Sequence, residues 1–320
     1  MRSLFGKLFF CFVFLQGMML FGPPLHAADE KGGLTIEPAF QEVVLDQKNE
    51  KNTFPISITN SSNAPVSLQI SAIDFGSLDE SGGVAFLGSE NELERKYALA
   101  SWLKPEKDVV VIDSGAKETI LVTIKDEEAL SPGGHYGAMV FKTGRPSNTE
   151  DAESIISIER LFSTLVFVKK IGGEKYEMKF IEQEYDDNLV NFQEKLKLRF
   201  QNTGNVHLVP RGVVTVTDPL GRTVAKGIIN QESALVLPET TRDYPVRIQK
   251  NAPIFFPGRY SMEIAYRYDG KNDFTTVLTR FDFVPLPAIV VSLLVATSIG
   301  WYVVRRQRNK GEYLASNKDV

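Results

Sequence analysis

Between Leu34 and Phe283 the chain is written in short runs that alternate apolar and polar residues. Ile56-Ser57-Ile58-Thr59, Val66-Ser67-Leu68-Gln69-Ile70 and Leu196-Lys197-Leu198-Arg199-Phe200 are examples, and Tyr260-Ser261-Met262-Glu263-Ile264-Ala265-Tyr266 is the longest. A period of two with β-branched and aromatic residues predicts half-buried antiparallel strands, each packed on one face. Gly, Pro, Asn, Asp and Ser punctuate the runs, and only Glu90–Ala100 reads as helical. The expectation is an all-β middle in two layers.

The two ends break this pattern. Arg2 and Lys7 precede an apolar stretch from Leu8 to Gly22, followed by small residues at Ala27-Ala28. That is the order of a secretory signal, and about 15 apolar residues are too few to cross a ~30 Å hydrocarbon core. Residues 1–27 therefore read as a cleaved signal peptide. At the other end Val284–Val304 carries no charge, and 21 residues make about 31 Å of helix. Trp301 and Tyr302 sit near its end, and Arg305, Arg306, Arg308 and Lys310 follow. Aromatic rings favour the headgroup layer, and positive charge stays cytoplasmic. The reading is a single transmembrane helix at 284–304 with a basic cytoplasmic tail at 305–320 and everything before it outside.

Within the exposed region, a pair of patterns recurs. Ile56–Asn63 and Leu198–Asn205 are both a strand ending in Asn, a small polar pair and a second Asn. Val122–Ile124 followed by Pro132-Gly133-Gly134-His135-Tyr136 parallels Val246–Ile248 followed by Pro257-Gly258-Arg259-Tyr260. Two copies of one sandwich explain both matches, the first carrying extra residues between Asp74 and Lys107 and a polar insertion at Thr143–Ser154. The strand Ile158–Val168 closes the first copy, and Ile171-Gly172-Gly173 links it to the second. The predicted fold is all-β: two tandem Ig-like β-sandwich domains, at 28–172 and 173–283, plus the C-terminal membrane helix.

Charge and cysteine content narrow the function. Outside signal and tail, 29 basic side chains face 38 acidic ones. An acidic surface repels nucleic acid. The one cysteine, Cys11, falls in the signal, so the exported region must hold itself together by core packing instead of disulfides.

Candidate chemistry is sparse. His135 and His207 are the two histidines beyond the signal, and neither has a second His or Cys to build a zinc site. His135 reads as a member of a tight turn, with Tyr136 like the corner tyrosine of Ig-like sandwiches. Asp74, Asp79 and Glu80, or Asp186, Asp187 and Asn188, could collect calcium, but turns ordinarily use such residues as caps. Asn60-Ser61-Ser62 matches a glycosylation sequon, though its place in the repeat already explains Asn60 as a turn residue. No GxSxG elbow, phosphate loop or HExxH helix appears, so no enzyme, cofactor or metal is expected. Recognition remains. Phe75, Phe86 and Tyr97 are the candidate partner-binding residues, with Trp102 beside them, and core packing is the plainer reading of these aromatics.

Asn60–Asn63, Ala100-Ser101-Trp102-Leu103 and Pro132-Gly133-Gly134-His135-Tyr136-Gly137, in a chain laid out as signal, two sandwiches, helix and basic tail, resemble the WxL-interacting surface proteins of Gram-positive bacteria. The likeness covers nearly the whole chain in layout, with its motifs mostly in the first domain. It implies a first domain associated with peptidoglycan and a second with host or matrix proteins. The expectation is a membrane-anchored cell-surface binding or scaffold protein that contacts cell-wall polymer or another surface protein. The alternative is an extracytoplasmic assembly factor that holds other exported chains by strand addition, as pilus chaperones do. A sensor is disfavoured, because a 16-residue tail has no room for a signalling domain.

Overall fold

The computed structural model describes residues 33–46, 52–87, 95–125, 127–143, 160–186 and 188–316. The signal at 1–27, nearly all of the Thr143–Ser154 insertion, Asp187 and the last four residues of the tail lie outside them. The chain is mostly β, with one C-terminal apolar helix.

A first unit holds two sheets. One has the order β1 (Leu34–Glu37), β3 (Thr53–Asn60), β8 (Lys117–Ile124), β6 (Leu103–Pro105). The other runs β2 (Phe40–Leu45), β10 (Leu161–Lys170), β9 (Gly133–Thr143), β4 (Val66–Ser77), and both β5 (Val84–Leu87) and β7 (Val109–Ile112) pair with β4. The N-terminal stretch serves both sheets. β1 pairs antiparallel with β3, and β2, just beyond Pro38, pairs parallel with β10. Between the sheets lies a core that includes Ile56, Leu68, Ile120, Met139 and Phe141.

The second unit is one continuous seven-stranded ladder: β11 (Met178–Glu184), β12 (Lys195–Asn202), β15 (Thr241–Lys250), β14 (Thr223–Ile229), β13 (Arg211–Thr217), β16 (Gly258–Arg267), β17 (Thr275–Phe283). β15 pairs with β12 through Thr241–Arg247 and with β14 through Ile248–Lys250, so one strand is common to both halves of the ladder. The alternation is visible in burial. Leu196, Leu198 and Phe200 of β12 are buried, while Lys195 and Lys197 are exposed. Phe200 sits among Phe180, Tyr244 and Tyr266 at centroid distances of 5.5, 5.8 and 4.9 Å.

The repeated asparagines do the same job in both units. Asn60 ends β3 fully buried, donates Nδ2 to the carbonyls of Ala64 and Ile112, and accepts from the Ser62 N–H. Asn202 ends β12 fully buried, donates to Val206 and Val236 carbonyls, and accepts from the Gly204 N–H. Each carboxamide ties its own turn to a distant segment, Asn60 to the end of β7 and Asn202 to Val236 in the long connection from Ile229 to Thr241, and so pairs backbone groups inside the fold.

The second repeat is shifted by one from the sequence alignment. Gly133 and Gly258 both hold positive φ, 125° and 141°. Two residues on, His135 Nε2 lies 2.8 Å from the Ser131 carbonyl, and the Tyr260 hydroxyl donates to the Phe256 carbonyl at 2.5 Å. His135, not Tyr136, thus occupies the corner that Tyr260 fills. Tyr136 points to the opposite face of the sheet.

Other expectations are revised. The described residues of Glu90–Ala100 form 3₁₀ turns at Arg95–Tyr97 and Ala100–Trp102, not an α-helix. The closing strand continues to Lys170. β9 is buried on both faces for most of its length, whereas the alternating pattern predicts one wet face. The helix α1 (Leu286–Ser316) continues past Val304 through the basic tail. Its segment Leu286–Arg308 is long and apolar enough to cross a membrane, and none of it is buried against the protein. Within it Ser292 and Ser298 donate to carbonyls four residues back, so their hydroxyls need no partner outside the helix.

Candidate functional site

The reason β9 is dry on both sides is the second unit. Odd residues of β9 pack into the inner core, and the even ones, Tyr136, Ala138 and Val140, join Phe75 and Phe167 in a separate apolar cluster on the outer face. Leu235 and Leu237, from the β14–β15 connection of the second unit, lie against it. The rings pack edge to face: Phe75 to Phe167 at 5.3 Å and Tyr136 to Phe167 at 5.8 Å.

Beside this cluster the two units enclose a cleft of about 880 Å³. One wall is the outer face of β2 and β10, with Phe40, Glu42, Leu165 and Lys169; the opposite wall brings His207, Arg211, Asp269 and Arg242. A polar chain crosses the join. Tyr136 Oη lies 3.3 Å from His207 Nδ1, and His207 Nε2 lies 3.5 Å from Glu42, whose other neighbour is Lys169 Nζ at 3.7 Å. With the tyrosine donating to Nδ1, the network assigns the imidazole proton to Nε2, facing the carboxylate. Burial pushes the Tyr136 hydroxyl well above its ordinary range, so it stays a donor.

The His207 hydrogen bond holds the Glu42 carboxyl below its ordinary value of 4.5, against the opposing effect of burial and with help from Lys169. A carboxyl depressed on folding adds stability above 4.5 and loses it as pH falls through the lowered value. Glu42 is nearly half exposed, which limits the effect to below about 1 kcal/mol. Glu42→Gln is therefore expected to flatten the acid limb of stability. Urea midpoints of the two proteins between pH of about 6 and 3 check it; parallel curves would remove the role given to Glu42.

A second set of contacts closes the rim. Glu239 accepts from Lys96 Nζ and from the Tyr97 hydroxyl, both at 2.8 Å, and the Glu80 carbonyl accepts from the Asp243 N–H at 2.7 Å. Arg199 pairs with Glu80 and with Glu182. At the joint, Asn205 is the hub. Its carbonyl accepts from Gly134 N–H, its Oδ1 from Lys175 N–H, and its Nδ2 donates to Gly173.

The predicted contact residues are separated by this arrangement. Phe75 is 3% exposed and belongs to the cluster between the units, so it has no surface to offer. Tyr97 is half-buried and engaged with Glu239. Phe86, 49% exposed, is the one left open to solvent. Trp102 packs on the inner core of the first unit. Sequence reasoning weighed His207 only as a metal ligand and missed Glu42, Lys169, Leu235 and Leu237, which carry no local motif.

Candidate calcium residues act as caps. Asp74 Oδ1 accepts the N–H groups of Leu99 and Ala100, Asp79 Oδ1 that of Ser81, and Asn188 Oδ1 those of Val190 and Asn191. Among the described residues no three His, Cys, Asp or Glu side chains converge as metal ligands. In the cleft Arg211 is paired with Asp269 and Lys169 with Glu42. Such paired charge beside an apolar floor suits a polypeptide segment of mixed character better than a polyanion.

No family model matches the chain, and no curated protein matches it by sequence. Solved structures do. One, described as a chaperone–tip adhesin complex vital for activation of CFA/I fimbriae biogenesis, is 13% identical, covers 78% of this chain and 99% of its own, and has a TM-score of 0.43. The Salmonella enterica SafA pilin in complex with the SafB chaperone is 9% identical over 79% of this chain and 96% of its own, with a TM-score of 0.38. The CsuC–CsuE chaperone–tip adhesion subunit complex of Acinetobacter baumannii is 11% identical over 80% and 100%, at 0.37. These superpositions are too loose to assign a function. They do correct the resemblance to WxL-interacting surface proteins, since the structures that align along most of the chain are fimbrial chaperones. The physical reason is that the motifs behind the resemblance are fold devices: Asn60 stitches a turn, Ala100–Leu103 is a 3₁₀ turn held by Asp74 and entering β6, and Pro132–Gly137 is a corner and the opening of β9. The cell-surface scaffold reading and the peptidoglycan partner that came with it are withdrawn.

Proposed function

We propose that this protein is an extracytoplasmic assembly factor that holds another exported polypeptide by strand addition. The observation that supports it is the outer edge of β10. β2 covers that edge only from Leu165 onward, pairing Leu165 with Phe40 through Lys170 with Leu45. Over Leu161–Ser163 no strand among the described residues pairs with it, although the inner edge stays paired with β9; Thr164, fully buried, is already held by its hydroxyl to the Pro38 carbonyl. Leu161 is 64% exposed and Phe40, where β2 begins, 65%. By alternation Leu161 shares its face with Leu165 and Phe167, which continue down into the cleft. Proteins ordinarily blunt an apolar sheet edge with charge or proline. An open one, continuous with an apolar cleft, suits an incoming strand whose backbone supplies affinity and whose alternate side chains supply specificity.

In this reading the two units are tandem Ig-like sandwiches behind a cleaved signal at 1–27. α1 anchors them to the outer face of a membrane with the basic tail inside, and no step of catalysis is involved. A photo-crosslinking residue at Leu161 in the full-length protein, in the cells that make it, is expected to capture an exported chain. The same residue at Val213, an exposed site on the second unit, is expected to capture none. Equal labelling at both sites, or no adduct at Leu161, would defeat the proposal.

A further inference from the structure

The second unit has two ends, and they differ. At one end lie the β12–β13, β14–β15 and β16–β17 connections, of which the first two meet the first unit. At the other lie the β11–β12, β13–β14 and β15–β16 connections and the exit to α1. This second end is studded with apolar tips: Leu189 and Val190, Leu220, and Phe255 and Phe256, all between 40% and 63% exposed. They form one surface. Gly258 packs against Pro219, the Arg222 guanidinium lies 4.9 Å from the Phe256 ring centre, and Val284 N–H donates to the Leu189 carbonyl at 2.7 Å. A shallow hollow lined by Val190, Ile254, Pro285 and Leu286 joins these tips to the start of α1.

Resting on the reading of α1 as a membrane span, we infer that these tips insert into the headgroup and acyl boundary of the outer leaflet, so that the second unit sits on the bilayer as well as being tied to it. Two observations choose lipid as the occupant. β17 ends at Phe283 and the apolar helix begins at Leu286, leaving Val284 and Pro285 as the whole tether. Two extended residues span about 7 Å, so this end of the unit cannot stand clear of the surface that α1 enters. The second is the pattern of the patch itself. Exposed Phe and Leu tips stand out, with Arg222 stacked on Phe256 and Lys250 Nζ 5.2 Å from the Phe192 ring centre, each cation also paired to a carboxylate of this end, Asp218 and Glu194. Apolar residues dipping below the headgroups with cations held at their level is the arrangement of an interfacial membrane contact. Exposed apolar tips on an end that faced water would be a liability instead.

The test uses the full chain, Cys11→Ser, in nanodiscs of phosphatidylcholine and phosphatidylglycerol, with a polarity-sensitive fluorophore on single cysteines. Leu220→Cys and Phe255→Cys probe the tips, Phe274→Cys the far end, and Val295→Cys the helix. The inference expects blue-shifted emission at Leu220 and Phe255 and loss of it when the lipids carry a headgroup-depth spin label, with neither change at Phe274. Val295 should respond only to a label deep in the acyl chains. Quenching at Val295 without quenching at the tips overturns the inference and leaves the span intact. A blue shift at the tips that lipid labels do not quench indicates protein contact and overturns it too. No quenching at Val295 removes the span, and the inference with it.

Discussion

Asn202→Ala is expected to destabilise the second unit by about 2–4 kcal/mol. The carboxamide reaches the Val206 carbonyl at 2.7 Å and the Val236 carbonyl at 3.1 Å, and takes the Gly204 N–H at 2.9 Å, all in the buried interior. Alanine leaves the Val206 carbonyl without its donor and takes one of two bonds from the Val236 carbonyl and the Gly204 N–H, which Leu208 N–H and the Glu177 carbonyl still serve; a stranded buried group costs on the order of 1–3 kcal/mol. Asn60→Ala should cost the first unit less, about 1–3 kcal/mol, since it removes the buried donor to the Ile112 carbonyl while the exposed Ala64 carbonyl keeps the Ser62 hydroxyl. Urea unfolding of each variant, followed by circular dichroism, measures both. A loss below about 1 kcal/mol in either would mean that water replaces the side chain and that the repeat is not a structural device.

Gly204→Ala is expected to open the joint between the units. A methyl group there would overlap the Lys175 carbonyl oxygen and press on the Glu177 N–H, both backbone atoms with little freedom to move. The same segment carries the bonds from Thr203 and Gly204 N–H to the Glu177 carbonyl and from Asn205 N–H to that of Lys175. Forcing it outward should cost about 2–4 kcal/mol and expose residues 171–177 to protease. Limited proteolysis of the wild type and the variant distinguishes this from general unfolding. Cleavage confined to the joint supports it, and an unchanged digestion pattern would refute it.

Much of this molecule is legible in its sequence for a physical reason. A strand with one wet face writes its burial into a two-residue period, so β3, β8, β12 and β16 can be read from Ile56, Ile120, Leu198 and Ile264 alone. The buried asparagines are legible too, because a turn that needs a carboxamide keeps one in both copies. What stays hidden depends on distance. His207 and Glu42 are separated by most of a domain, and nothing near either one announces the other. Tyr136 is misread for a related reason. A tyrosine after a glycine turn can face either side of its strand, and a one-residue shift in register reverses the face. The exposed aromatic patch fails on Phe75 because an unforeseen neighbour, the second unit, covers it.

The continuous ladder of the second unit also decides how it would bear load. β17 runs antiparallel to β16 with Gly258 opposite Phe283 and Tyr266 opposite Thr275, and it leads directly into α1. A pull on α1 directed away from the first unit therefore acts along the length of β17. Ladder hydrogen bonds lie across the strand direction, so they meet such a pull in shear, all together, instead of being peeled one after another. Tension between an anchored helix and a polypeptide held at the opposite end would thus meet its stiffest resistance at the point where the chain leaves the sheet.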